Sequence, residues 1–306
     1  MLVLALLLQV AQGSATDTVL AAARRAVNAL SDTAAVRAAG FAPIEEISIL
    51  DRTPFQGEHW FNPSRSDTLP LVPLDRPAFV MFGFVNGEYQ RVGIAYSTRL
   101  RPAIPSPVGL GGDASAAWHD HYLCSIEGRP GPLIVDGNDH CRSLGGNPFP
   151  RRTVMVHVWT DTPNPEGIYG HDNPALPFIA VGLKPPGVHD LHDPERVRAI
   201  RKLALAIGET YDARMPVSRV IDRANTDSTL TAVAREHRAA IAAQIPRLQR
   251  ADADGDKTAY DRVAASIMRE WDGLRQVYER MATTSDHQAR LKSELDDALS
   301  VSKHHR

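Results

Sequence analysis

The sequence predicts an α+β protein: a leading helix, a mostly antiparallel β-rich middle region, and a helical C-terminal region of hairpins or a bundle. Three observations predict it. Residues 16–40 are rich in alanine, with apolar side chains at helical spacing. Residues 41–187 hold most of the 22 prolines and 21 glycines, set between short β-rich runs. From residue 190 onward, apolar residues recur every three or four positions over long stretches.

The elements follow in chain order. Leu2 to Val10 is an apolar run broken only by Gln9. A bilayer span needs about 20 apolar residues, so this run fits the core of a secretory signal instead. Small residues follow at Ala11, Gly13, Ser14 and Ala15, and cleavage after Gly13 or Ala15 suits them, although no Lys or Arg precedes the run. Residues 1–15 are therefore read as a signal peptide, and the mature protein as exported, periplasmic or secreted, with no stable membrane span after cleavage.

In the leading helix Val19, Ala22, Ala23, Val27 and Leu30 share a stripe, Arg24 and Arg25 fall elsewhere, and Gly40 ends the segment. Ala78 to Val85 and Glu88 to Ser97 read as strands around Asn86-Gly87, the dipeptide that best tolerates the two positive φ angles of a tight hairpin. Leu133 to Val135, Thr153 to Thr160 and Phe178 to Leu183 are further strand candidates. Asn-Pro recurs at Asn62, Asn147, Asn164 and Asn173, each read as a turn because the residue before proline avoids the helical region. Asp193-Pro194-Glu195 starts a helix with stripe residues Val197, Ile200, Leu203, Ala204 and Ile207. A second helix runs from about Ser228 to Gln249, and a third from near Asp256 with Val263, Ile267, Trp271, Leu274 and Tyr278 on one face. Ser285 and Gln288 form a capping box for a last helix with Leu291, Leu295 and Leu299. The chain thus divides into an α+β domain at 16–187 and a helical region at 190–306, through which oligomer contacts are expected.

The 34 basic and 36 acidic residues leave a net charge of -2, with no basic patch, which argues against a nucleic-acid partner. Cys124 and Cys141 are the two cysteines. In an exported protein they are expected to form a disulfide, worth roughly 3 kcal/mol in the chain-entropy model; the alternative is a pair of thiolate metal ligands.

Histidine use carries the candidate chemistry. Three of the four tryptophans stand beside histidines: His59-Trp60, Trp118-His119 and His157-Val158-Trp159. His119 and His121 lie two residues apart, so a strand turns both to one face, where a third imidazole closes a metal site. His157, between Met155 and Trp159 on one strand face, supplies that third ligand, and His59 a further one from a loop. The metal candidates are therefore His59, His119, His121 and His157, with Glu58 and Asp120 as carboxylates that orient imidazoles or act as catalytic general base. His140 and His171 are second-line candidates. Zinc on three histidines with an open position lowers the pKa of its water to near 7, and nearby methionine suits copper, so the cofactor expected is Zn or Cu.

Several signatures are absent. There is no His-Glu-x-x-His, Gly-x-Ser-x-Gly, phosphate loop or Cys-x-x-Cys. Asp252, Asp254 and Asp256 have the spacing of a calcium loop, but Lys257 stands where it needs glycine and Val263 where it needs glutamate. Asp256 is better read as a helix cap.

The motifs Gly57-Glu58-His59-Trp60, Trp118-His119-Asp120-His121, His157-Val158-Trp159 and Asn164-Pro165-Glu166-Gly167 are similar, in their order, to a group of uncharacterised exported bacterial proteins. The resemblance covers roughly the first 185 residues and implies no activity and no catalytic residue. Three functional expectations follow. The first is an exported metal-binding protein, a metal-dependent hydrolase if zinc is held. The second is a binding protein for a small molecule, with Trp60, Trp118 and Trp159 lining its pocket. The third is an assembly protein acting through its helical region.

Overall fold

The computed structural model describes residues 17–44, 54–66, 73–100, 110, 117–128, 133–135, 137–187, 193–211 and 228–281, with parts of 288–299. The expected signal peptide at 1–15 and the capping box at Ser285 lie outside the described residues. Within them the chain is α+β, with an antiparallel sheet in the middle and a C-terminal helical hairpin.

The sheet has eight strands: β1 (Ala42–Pro43), β2 (Glu58–Phe61), β3 (Phe79–Val85), β4 (Glu88–Leu100), β5 (His119–Ser125), β6 (Leu133–Val135), β7 (Asn147–Pro148) and β8 (Arg152–Val158). Their order is β1-β2-β3-β4-β8-β5-β6, with β7 paired to β5, and every pairing is antiparallel. The β3–β4 hairpin turns at Asn86 and Gly87, with φ of 50° and 81°, as the dipeptide predicts. β8 enters between β4 and β5, so a strand late in sequence lies at the centre of the sheet.

Alternation along the strands separates two buried faces. Val154, Val156 and Val158 of β8 join Val80, Phe82, Ile94 and Tyr96 on one face. Helix α1 (residues 17–26) and helix α2 (Thr33–Ala38) cover that face with Val19, Ala23, Val27, Leu30 and Val36. The leading helix is thus followed by a break and a second short helix. Asp32 makes the break, because its carboxylate accepts from the amides of Ala34 and Ala35 and restarts the helix. Arg91 fastens the link, donating to the Leu30 carbonyl at 2.8 Å while it grips Asp161.

The other face carries Met155 of β8 with Phe61, Phe79 and Ala95, and Met81 with Trp159. Helix α3 (Asn138–Ser143) lies beside β5, joined to it by the Cys124–Cys141 disulfide. Gly146 packs directly on that bridge: a Cβ there would stand 2.4 Å from the Cys124 sulfur.

Phe178 to Leu183, expected as a strand, begins inside helix α4 (Leu176–Ala180) and leaves it through a turn. The Asn173 side chain accepts from the Ala175 amide and Pro177 occupies the first turn, a helix start that outweighs the apolar run. Asn62 and Asn164 also accept from backbone amides in turns, whereas Asn147-Pro148 pairs with β5 as a strand.

Helix α5 (Pro194–Tyr211) is capped by Asp193 as expected, α6 (Ser228–Ala253) and α7 (Lys257–Met281) pack as a hairpin, and Asp256 caps α7. Their shared core includes Ile241, Ile267, Trp271, Leu274 and Tyr278, and it is continuous with Phe55, Phe178 and Leu183 of the β-rich region. α4 bridges the two parts, since it contacts both β3 and α5. Among the described residues no helix is long and apolar enough to cross a membrane.

The disulfide closes a 17-residue separation. The double substitution Cys124→Ala/Cys141→Ala is expected to lower unfolding stability by about 3 kcal/mol, read as a lower urea midpoint. An unchanged midpoint would refute a stabilising role for the bridge.

Candidate metal centre

Five histidines converge on the face that carries Met155 and Met81. The two-residue period of β5 turns His119 and His121 inward, where they pair in register with Met155 and Thr153 of β8. His157 lies two residues beyond Met155 on the same face of β8, opposite Ala95 of β4. His59 occupies β2 opposite Met81 of β3. His171 comes from the loop after β8.

β2 and β8 are separated by β3 and β4, three strand intervals or about 14 Å at ordinary spacing. Yet His59 Nε2 lies 3.1 Å from His157 Nε2. The sheet curls towards this face, and β4 offers only Gly93 and Ala95 between the two rings. A Cβ on Gly93 would stand 2.9 Å from the Val158 carbonyl oxygen of β8, as well as 2.6 Å from the flexible Met81 methyl, so the backbone contact requires glycine here. Gly57, which leads into β2, is fixed in the same way: its φ is +71° and a Cβ would stand 2.5 Å from the Phe82 carbonyl oxygen.

His119, His121 and His171 each present a ligand nitrogen within 4.8 Å of the other two, a group that can hold a metal ion. Ligands sharing a tetrahedral zinc stand about 3.4 Å apart, so small ring movements complete the site. His119 and His121 are buried, and His171 is partly so. Their surroundings set the tautomers. His119 Nδ1 lies 3.1 Å from the Ala117 carbonyl, which only accepts, so Nδ1 carries the proton and Nε2 the lone pair. Asp172 Oδ1 and the Gln56 side-chain nitrogen each stand 3.2 Å from His171 Nδ1, and the carboxylate is placed to orient a ligating imidazole.

Asp172 is itself held. Arg201 of α5 donates to its Oδ2 at 2.9 Å and to Glu166 Oε1 at 2.5 Å, and stacks on Phe55 at 5.1 Å. Gln56 donates to Asp172 Oδ1 at 3.1 Å. Burial alone would raise the Asp172 carboxyl, but the Arg201 guanidinium and the His171 ring overcome it and hold it below the usual carboxylate range. Burial pushes Glu166 up, and the Arg201 guanidinium acts against that shift. Burial also drives His119 and His157 well below the ordinary histidine value, reinforced by neighbouring imidazoles. Both are neutral, the form that ligates.

The structure brings His119 and His121 together with His171, and sets His157 and His59 alongside: the His119 ring centroid is 5.0 Å from that of His157 and 4.2 Å from that of His171. Glu58 and Asp120 lie elsewhere. Alternation turns Glu58 away from His59 to accept from Trp60 Nε1 at 2.9 Å and from the Tyr89 hydroxyl. Asp120 is exposed on the far face of β5, where with Tyr122, Asn138 and Arg151 it lines a cavity of about 350 Å³. Trp60 and Trp118 pack in the opposite core, and Trp159 alone of the three stands on the histidine side, 5.9 Å from the His157 ring. His140 sits in α3 beside the disulfide. Neither Arg201 nor Gln56 was singled out by the sequence pattern. The available signal was a charged residue at position 201, four residues after Val197 on the apolar stripe of α5.

No family model, curated protein or solved structure matches this chain.

Two outcomes are expected. Arg201→Met leaves Asp172 and Glu166 buried without their cation and should cost about 3–5 kcal/mol in urea unfolding; a loss below 1 kcal/mol would show that the pair carries little. In the metal-stripped chain, His119 and His157 stay neutral when folded but take up protons below about pH 6.5 when unfolded. Stability is therefore full above that pH and falls below it, by up to about 1.4 kcal/mol per pH unit per ring. Urea midpoints at pH 7.5 and 5.5 test this, and equal midpoints would contradict neutral, buried rings.

Proposed function

We propose that this is an exported metal-binding protein whose His119, His121 and His171 hold a zinc or copper ion. The observation that carries the reading is the convergence of the three imidazoles, with His171 backed by the Asp172–Arg201 pair. Imidazole sets suit zinc and copper over magnesium or calcium, which prefer oxygen. Export is supported by the disulfide, which belongs to an oxidising compartment, and by the apolar run at Leu2 to Val10. The order of motifs shared with uncharacterised exported bacterial proteins is consistent with it.

Zinc held by three histidines supplies a nucleophilic water near neutral pH, and hydrolysis is the finer reading of the site. The chain's part in it would be to keep His119 neutral, orient His171 through Asp172, and shield the centre with Trp159 and the 159–175 loop. Glu58 and Asp120 face away from the rings, so the proton acceptor of such a reaction is not one of them.

Elemental mass spectrometry of the purified protein tests the proposal. The parent is expected to carry tightly bound zinc or copper, and His119→Ala/His171→Ala to lose it while keeping its circular dichroism. A metal-free parent that stays so after dialysis against both ions would end the reading.

A further inference from the structure

We propose a second metal position formed by His59 and His157, beside the triad, so that the five rings hold an adjacent pair of divalent ions. It extends the reading of His119, His121 and His171 as a metal site and rests on that reading.

The argument begins with a tautomer. His157 Nδ1 lies 2.7 Å from the His171 carbonyl oxygen. A carbonyl only accepts, so Nδ1 is the protonated nitrogen and the lone pair sits on Nε2. That Nε2 faces His59 Nε2 at 3.1 Å. Two imidazole nitrogens on one ion, each about 2.0–2.1 Å from it, stand about 2.8 Å apart in a cis square-planar arrangement and about 3.4 Å in a tetrahedral one. The observed separation falls between these values. Both rings are buried, at 1% and 0% exposure, so their orientations are set by packing. His59 meets Phe79 edge-on at 5.9 Å, and His157 meets Trp159 edge-on at 5.9 Å.

The pair is also placed to share the triad's neighbourhood. The His157 ring is 5.0 Å from His119 and 5.3 Å from His171, centroid to centroid. His171 serves both positions, its ring as part of the triad and its carbonyl as the acceptor that orients His157. Two-metal centres place their ions about 3.5–4 Å apart, a spacing that rings in contact at this distance can support. The ions that fit are divalent first-row cations favouring nitrogen, copper(II) and zinc foremost.

A simple hydrogen bond between His59 and His157 would produce the same separation, and the experiment distinguishes the two. The full chain, with His304→Ala/His305→Ala to remove the tail histidines, is stripped of metal and dialysed against copper(II). Copper content and the electron paramagnetic resonance spectrum are then read. His59→Gln is the comparison, since its amide still donates to His157 Nε2 and supports the fold. Two equivalents with a spin-coupled spectrum in the parent, and one equivalent with an isolated copper spectrum in His59→Gln, would support the second position. One equivalent in both chains would overturn it and leave the triad intact. Two equivalents in both, or two uncoupled signals in the parent, would place the second ion elsewhere and overturn it as well. No bound copper in the parent, confirmed with zinc, would overturn the triad reading too.

Discussion

The buried guanidinium of Arg201 is the constraint on which the arrangement around the histidines depends. It comes from the helical region, yet both its carboxylate partners belong to the loop that follows β8. One side chain thus fixes the loop, orients His171 through Asp172, and seats α5 against the β-rich region. Such a triad is weak evidence for net stability, because desolvation offsets most of the attraction. Its effect is on geometry. With both carboxylates on the cation, the His171 ring stands 4.2 Å from that of His119, centroid to centroid.

The second constraint is the layering of the sheet. Strand alternation sends tryptophan and histidine neighbours to opposite sides: Trp60 and Trp118 go to the core under α1 and α2, His59 and His119 to the other face. Small residues decide how closely that face can fold over. Gly93 and Ala95 of β4 lie between the two rings, and a Cβ on Gly93 would press on the Val158 carbonyl of β8.

Much of this was legible in the sequence, wherever a period or a turn reports local geometry. The two faces of β8, the Asn86-Gly87 hairpin, the Asp193 cap and the stripe of α7 follow from spacing alone. Of the rings, His119 and His121 were legible as a pair because β5 has a period of two. What escaped depends on long-range packing. His171 lies in a loop, where no period assigns a direction, and only the fold brings it back over β5. Arg201 reads as a flaw in an apolar stripe until Asp172 and Glu166 are placed against it. Residues 176–183 are apolar enough for a strand, and the Asn173 turn that precedes the helix, with Pro177 in its first turn, decides otherwise. Glu58 and Asp120 were attractive for their sequence proximity to histidine, but adjacency along a strand means opposite faces.

The neutrality of His119 and His157 has a consequence for what can enter. Imidazole ligands carry no negative charge, so a dication bound among them keeps its full charge inside a poorly polarisable interior. Asp172 lies against the His171 ring, and its charge is shared with Arg201, which also pairs with Glu166. On the proposed reading, a divalent ion would gain from arriving with an anion that offsets its charge. Such a site would select by the electroneutrality of the whole entering species as well as by the affinity of nitrogen for metal.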